Sequence, residues 1–128
     1  MAFDWMAMLD VARDLVNQAP KSDNPEARYR SALSRLYFGA YGHARNYAIS
    51  YLGFVPQHAS DDHGRLKAYL RSKRRQGDGD RIDQLRKWRN LADYADTFPI
   101  DIPLAATALK AVELAERIFF SLTPPKKV

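Results

Sequence analysis

The sequence of 128 residues contains no cysteine. Disulfides, thiolate metal sites and cysteine nucleophiles are therefore excluded, and nothing indicates an oxidising compartment. Long apolar stretches are missing too, because no segment reaches the roughly 18 uncharged residues that a membrane-spanning helix needs. The first residues, MAFDWMAMLD, lack the basic leader and the unbroken apolar run of a signal peptide. We therefore expect a cytoplasmic protein without membrane association.

Motifs for metals and cofactors are also scarce. The sequence has no Gly-rich phosphate loop, and no serine and histidine arrangement indicates a hydrolytic triad. His58 and His63 flank Asp61 and Asp62, but this spacing matches no known metal motif. Carboxylates in a first helical turn usually serve the helix dipole. We predict neither a metal site nor a bound cofactor.

Positive charge, by contrast, is abundant and clustered. The formal net charge is +5, and segment 65–89 holds ten basic residues against three acidic ones. The rest of the chain is slightly acidic, so the whole excess lies in this segment. Such a cluster attracts phosphate groups, which favours a nucleic-acid or nucleotide ligand. A solvated charged face with a flexible tip is the structural alternative.

Helical periodicity dominates the chain. The longest helix is predicted between Asn24, a good N-cap, and Gly53, which suits the left-handed position after a helix end. Shorter helices are predicted over residues 3–18, from Ser60 to about residue 75, from a capping Asp80 onward, and over 103–122, with QGDGD as a mobile hairpin tip. The pattern predicts an all-α, antiparallel up-and-down bundle of four to five helices. Residues 1–122 would form a single domain, with 123–128 as a frayed tail.

The longest helix has two different faces. A broad arc of tyrosine, leucine and alanine side chains is predicted to face the core. The opposite row is alternately basic and small: Arg28, Ser31, Arg35, Gly39, Gly42 and Asn46. Glycine inside a helix costs up to about 1 kcal/mol relative to alanine. The two glycines therefore indicate either a close approach by another backbone or a ligand, or a merely exposed stripe.

Two motifs make the sequence similar to a known family. The long helix carries SRLYF at 34–38, followed by Tyr41, Ala44 and Arg45, and a later helix carries RNLADY at 89–94. In this order and separation they resemble the HEPN domain (higher eukaryotes and prokaryotes nucleotide-binding), in its prokaryotic stand-alone subgroup. The resemblance implies a bundle that dimerises through the polar faces of the two motif helices. It also implies partnership with a small nucleotidyltransferase in toxin–antitoxin pairs, or a role in RNA degradation and defence.

The resemblance and the residue pattern together predict two sets of functional residues. The dimer contact would use the small-residue row, with Ser31, Gly39, Gly42 and Asn46 admitting the partner. The ligand cleft would be lined by polar residues of the two motif helices, namely Arg35, Arg86, Arg89, Asn90 and Asp93. Arginines would neutralise phosphate, and Asp93, four residues after Arg89, would orient it.

Catalysis is the point at which the sequence departs from the family. HEPN ribonucleases carry an arginine followed four to six residues later by a histidine, and after Arg89 the corresponding positions hold Asp93, Tyr94 and Ala95. We therefore expect a dimeric module that binds nucleotide, RNA or a nucleotidyltransferase. One alternative is a metal-independent endoribonuclease in which Arg89 acts with Tyr94 or His43 in place of the missing histidine. The other is a plain helical interaction module.

Overall fold

A computed structural model of the chain describes residues 3–99, 101 and 103–124. Within them the chain forms α1 (Met6–Gln18), α2 (Pro25–Tyr47), α3 (Asp62–Ser72), α4 (Gln76–Tyr94) and α5 (Leu104–Ser121). A 3-10 turn, Ala19–Lys21, follows α1, and a π-helical turn, Ala48–Leu52, follows α2. These described residues contain no β-strand. The predicted all-α helical bundle is confirmed.

Helix α2 lies at the centre of the bundle and contacts α1, α4 and α5. Its ends agree with the sequence signals, because Pro25 is its first residue and Gly53, after the π-helical turn, has a φ of 80°. Large buried side chains such as Leu33, Leu36 and Tyr37 face the core. Helix α2 is buried on more than one side, and this changes the role of its small residues.

The small-residue row of α2 packs against α1 of the same chain. A Cβ atom on Gly39 would lie 2.9 Å from Cβ of Met8, and one on Gly42 would lie 2.2 Å from the Trp5 ring. The prediction that Gly39 and Gly42 admit a second protomer is therefore corrected: the close approach is real, but α1 makes it. Of the other two predicted dimer contacts, Ser31 is exposed and Asn46 is half-buried.

The first turn of α1 also differs from the prediction. The helix begins at Met6 rather than at Phe3, and the Asp4 carboxylate accepts a hydrogen bond from the Met6 N–H at 3.0 Å. The apolar side chains of Phe3 and Met6 are 54% and 45% exposed. The core side of α1 is instead formed by Leu9, Ala12 and Val16.

The predicted mobile tip at QGDGD is wrong, because these residues form the first turns of α4. The chain reverses direction before α4 begins, at Arg74, whose φ of 63° is the left-handed conformation that the turn requires. Gly79 then allows α4 to approach α3 closely, since a Cβ there would lie 3.2 Å from the Lys67 carbonyl oxygen. Asp80, the predicted cap, is an exposed residue inside the helix.

Helix α5 closes the core from the other side of α2 and also contacts α1 and α4. Its inner face is fully buried at Ala108, Ala115 and Ile118, and Leu122 just beyond its end is fully buried as well. The predicted helix over 103–122 is thereby confirmed. Residues 125–128, most of the predicted frayed tail, lie outside the described residues. No helix among the described parts of the chain is long and apolar enough to cross a lipid bilayer.

Candidate functional site

A groove with a volume of about 340 Å³ opens between α2, α4 and the residues that lead into α3. Its rings come from Trp5, Tyr37, Phe38 and Tyr41, its cations from Arg45, Arg86 and Arg89, and its remaining lining from Gly42, Ala59, Ser60, Asp62 and His63. We call it the aromatic–basic groove. Most lining residues come from two helix faces, since successive positions three or four residues apart lie on one side of a helix.

Arg89 is fixed in place by its own helix. Its Nε lies 2.8 Å from Oδ2 of Asp93, and its Nη1 donates to Oδ1 of Asn90 at 3.2 Å. The predicted pair between Arg89 and Asp93 is thereby confirmed. Asp93 also accepts a hydrogen bond from the Ser34 hydroxyl at 3.4 Å, which ties α4 to α2. The guanidinium carbon of Arg89 lies 4.9 Å from the centre of the Phe38 ring, so cation and ring share one side of the groove.

Arg45 and Arg86 supply positive charge that no carboxylate in the described residues neutralises. The guanidinium of Arg45 lies 5.8 Å from the rings of both Trp5 and Tyr41. These ring contacts leave the in-plane donors of Arg45 available to a ligand. Arg86 is exposed on α4. The groove therefore combines rings with uncompensated cations.

A buried histidine lies behind the rings. His63 is 7% exposed; its Nδ1 lies 2.9 Å from the Tyr37 hydroxyl, and its Nε2 lies 3.6 Å from Oδ1 of Asp83. We call this series the Tyr37–His63–Asp83 chain. Burial and the nearby Arg86 guanidinium lower the pKa of His63 in spite of Asp83. The imidazole is therefore neutral at pH 7.

The two ends of this chain keep their usual charges at pH 7. Burial and the neighbouring Tyr41 raise the pKa of Tyr37 to about 12, so its hydroxyl stays protonated. Burial disfavours ionisation of Asp83, but Lys67 at 3.1 Å and Lys87 at 3.5 Å outweigh it and lower its pKa. Asp83 is therefore a carboxylate.

Asp62 holds the loop at the mouth of the groove. Its carboxylate accepts hydrogen bonds from the backbone N–H groups of Gln57 at 3.1 Å and His58 at 2.8 Å, and from Nη1 of Arg65 at 2.9 Å. Burial disfavours its ionisation, yet these donors together lower its pKa. No group of three histidine, cysteine or acidic residues in the described ranges is arranged to hold a metal ion.

The structure brings together some of the sequence-predicted site residues and separates others. Arg86 and Arg89 line the groove, and Asn90 and Asp93 border it through their contacts with Arg89. Arg35 is exposed on α2 and is not among the lining residues.

The two side chains proposed to replace the missing histidine lie in different places. Tyr94 is 73% exposed, with its ring 5.4 Å from the Arg89 guanidinium. His43 lies outside the groove lining: its Nε2 is 2.8 Å from the Leu122 carbonyl oxygen, and its ring packs 4.5 Å from that of Phe119. His43 therefore joins α2 to the end of α5.

Sequence reasoning missed His63 and Trp5 as groove residues. Arg45 was within reach of sequence reasoning, because it follows Tyr41 by four residues and Tyr37 by eight on the same helix face. His63 and Trp5 lie far from the motif helices in sequence, and no periodicity connects them. Comparison of the chain with protein-family models, with curated proteins and with solved structures finds no match.

Proposed function

We propose that the protein is a cytoplasmic module that binds single-stranded RNA or a nucleotide in the aromatic–basic groove. The observation that carries the proposal is the convergence of three guanidinium groups and four aromatic side chains on one opening. Guanidinium groups match phosphate oxygens in geometry and charge. Aromatic rings stack on unpaired bases with little regard to sequence. A groove with both features suits a nucleotide whose base is not paired.

The motif similarity to HEPN domains supports the same proposal. Tyr37 and Phe38 belong to the first motif and Arg89 to the second, and all three line the groove. On that similarity alone we also propose a homodimer and a nucleotidyltransferase partner in a toxin–antitoxin or defence system. The exposed side chains of Arg35, Asn90 and Tyr94 offer a surface for such contacts. Sedimentation velocity tests the dimer, and a monomer at every concentration would contradict it.

A metal-independent endoribonuclease is the second candidate, favoured by the presence of His63 beside Arg86 and Arg89 in the groove. General acid–base catalysis needs a nitrogen within hydrogen-bond reach of the substrate. Both ring nitrogens of His63 already face protein groups, Tyr37 and Asp83. This geometry favours binding over cleavage.

The test is retention of a labelled single-stranded RNA in the presence of a chelator, measured across salt concentrations. Arg86→Ala and Arg89→Ala should each weaken retention about tenfold or more, because a hydrogen bond to a charged group contributes about 1.5–3 kcal/mol. Each should also flatten the salt dependence by about 0.7 in log–log slope. Phe38→Ala should weaken retention through lost stacking, worth about 1–3 kcal/mol per base, without changing that slope.

Arg117→Ala is the matched control, because Arg117 is an exposed helical arginine on α5 outside the groove. Equal loss in Arg117→Ala and Arg89→Ala would contradict the groove as the site. No retention at low salt would favour the plain helical interaction module. RNA cleavage that disappears in Arg89→Ala would establish the endoribonuclease instead, whereas cleavage unchanged in that variant would indicate a contaminating nuclease.

A further inference from the structure

The Tyr37–His63–Asp83 chain leaves one buried nitrogen without a hydrogen bond. His63 Nε2 is buried and has no hydrogen-bond partner among the described residues, and Oδ1 of Asp83 lies 3.6 Å from it. A carboxylate only accepts, so the neutral tautomer with hydrogen on Nε2 fits best. Nδ1 is then an acceptor, and the Tyr37 hydroxyl donates inward to it at 2.9 Å. With its hydrogen directed at Nδ1, the Tyr37 oxygen has its lone pairs on the side away from His63, and Tyr37 lines the groove.

This arrangement is unfavourable for an anion in the groove. A phosphate oxygen near Tyr37 would meet another acceptor, although Arg86 and Arg89 on the same groove attract it. Rotation of the hydroxyl about its C–O bond would let Tyr37 donate to the phosphate. The Tyr37 oxygen would then face an unprotonated Nδ1, and two acceptors would meet at 2.9 Å. A proton on Nδ1 removes this conflict, because Nδ1–H can donate to the Tyr37 oxygen.

We propose that Tyr37 donates a hydrogen bond to the phosphate of the ligand and that His63 takes up one proton from solvent when it does so. Nδ1 of His63 receives the proton, no covalent bond of the ligand changes, and the imidazolium faces the Asp83 carboxylate. Tyr37 is thereby a ligand-contacting residue, and His63 is the positioning residue that sets the direction of its hydrogen bond. The inference rests on the proposed function, since it specifies how the same groove recognises phosphate.

The charges around His63 favour this coupling. Tyr37 and Tyr41 face the ring from α2, Asp83 and Arg86 face it from α4, and Lys67 faces it from its own helix, α3. In the free protein, burial and the Arg86 charge keep the ring neutral and its pKa low. A bound phosphate offsets the charge of Arg86, so the imidazolium becomes more favourable.

The sign of the pH dependence follows from proton linkage. The liganded protein binds more protons than the free protein between the lower pKa of free His63 and its higher pKa in the complex. Affinity therefore rises as the pH falls through that interval. The limit for one proton is a tenfold change in Kd per pH unit. Above both pKa values the affinity is independent of this group.

The experiment uses a fluorescently labelled oligouridylate, because neither its phosphodiesters nor its uracil rings titrate between pH 5 and 8. Kd is measured by anisotropy at constant ionic strength over this range. The full-length wild-type protein should bind more tightly as the pH falls, by up to tenfold per unit. His63→Asn offers Tyr37 both a donor and an acceptor without titrating, so it should bind with a flat pH profile. Tyr37→Phe should also be flat, and weaker than wild type at pH 5.

His43→Asn is the matched control, because His43 contacts Leu122 outside the groove, and it should keep the wild-type slope. A flat wild-type profile, or a slope that survives in His63→Asn, would overturn the proposal. Should His63→Asn not fold, calorimetry of the wild type in buffers of different ionisation enthalpy decides, since binding must take up protons within the same pH range. Binding without proton uptake overturns the coupling but leaves the groove intact. Absence of binding at every pH refutes the proposed function itself.

Discussion

At the scale of single residues, Gly42 fits closely against the Trp5 ring. A Cβ atom on residue 42 would lie 2.2–2.7 Å from three atoms of the Trp5 ring, well inside normal contact distance. The same ring lines the aromatic–basic groove and lies 5.8 Å from the Arg45 guanidinium. Because Gly42 has no side chain, the Trp5 ring can pack directly against α2 and form one wall of the groove.

Gly42→Ala should therefore destabilise the protein by about 1–3 kcal/mol, the usual cost of overpacking, in spite of alanine's better helix propensity. Urea unfolding measures the change. Gly64→Ala is the matched control, because a Cβ there meets nothing within 4 Å, and it should be neutral or stabilising by up to about 1 kcal/mol. In a Trp5→Ala background the cost at position 42 should disappear. A cost that persists there would show that Trp5 is not its cause.

At the scale of elements, the beginning of α4 is attached to the end of α5. Asp78 is 3% exposed, and its Oδ2 accepts a hydrogen bond from the Ser121 hydroxyl at 2.7 Å. Its Oδ1 accepts from Nη1 of Arg81 at 3.3 Å. Tertiary contacts therefore stabilise a glycine-containing first turn that local propensity alone would not.

Asp78→Ala should lower the free energy of unfolding by about 1–3 kcal/mol, because the hydrogen bonds that Ser121 and Arg81 donate to the buried carboxylate are lost. Asp80→Ala tests whether Asp80 caps the helix, as the sequence predicted. As an exposed residue inside the helix, Asp80 should change stability by no more than about 0.5 kcal/mol, whereas an N-cap would cost about 1 kcal/mol. Thermal unfolding of both variants distinguishes an internal helix position from an N-cap at Asp80. A larger loss of stability in Asp80→Ala than in Asp78→Ala would support the helix start at Asp80 that the sequence predicted.

A comparison of α2 with α4 shows what the sequence could predict. The ends of α2 coincide with local signals, since Pro25 is its first residue and Gly53 takes the left-handed conformation after the π-helical turn. The start of α4 depends on Ser121, more than 40 residues away, and local signals failed there. The groove shows the same division: the spacing of Arg89 and Asp93 predicted their pair, whereas the bond between Tyr37 and His63 spans 26 residues. Sequence patterns show which side of a helix is unusual but do not identify its neighbour.

At the scale of the whole molecule, three titratable groups bind protons less tightly in the folded chain than in the unfolded one. They are His63, Asp62 and Asp83, whose pKa values all lie below their ordinary ranges. The unfolded state therefore takes up protons first as the pH falls, and the stability that these groups contribute is lost in that direction. Asp62 and Asp83 together hold the groove loop and the face between α3 and α4.

Stability should accordingly fall in two stages on acidification. The first loss begins near the ordinary histidine pKa of about 6.5 and is due to His63, and the second begins near the ordinary aspartate pKa of about 3.9. Urea unfolding at constant ionic strength between pH 3 and 8 measures both. His63→Asn should remove the first stage, and His43→Asn should retain it. Higher stability at pH 5 than at pH 7 in the wild type would contradict this sign.

The packing of α5 against α1, α2 and α4 also has a consequence for the protein during its synthesis. A nascent chain that has emerged only as far as α4 leaves uncovered the side of α2 that α5 later buries. The alanines of α5 and the buried Leu122 complete that side. Closure of the core, and with it a stable groove between α2 and α4, must therefore follow the emergence of Leu122 from the ribosome. Until then the exposed apolar side of α2 is a surface for chaperones.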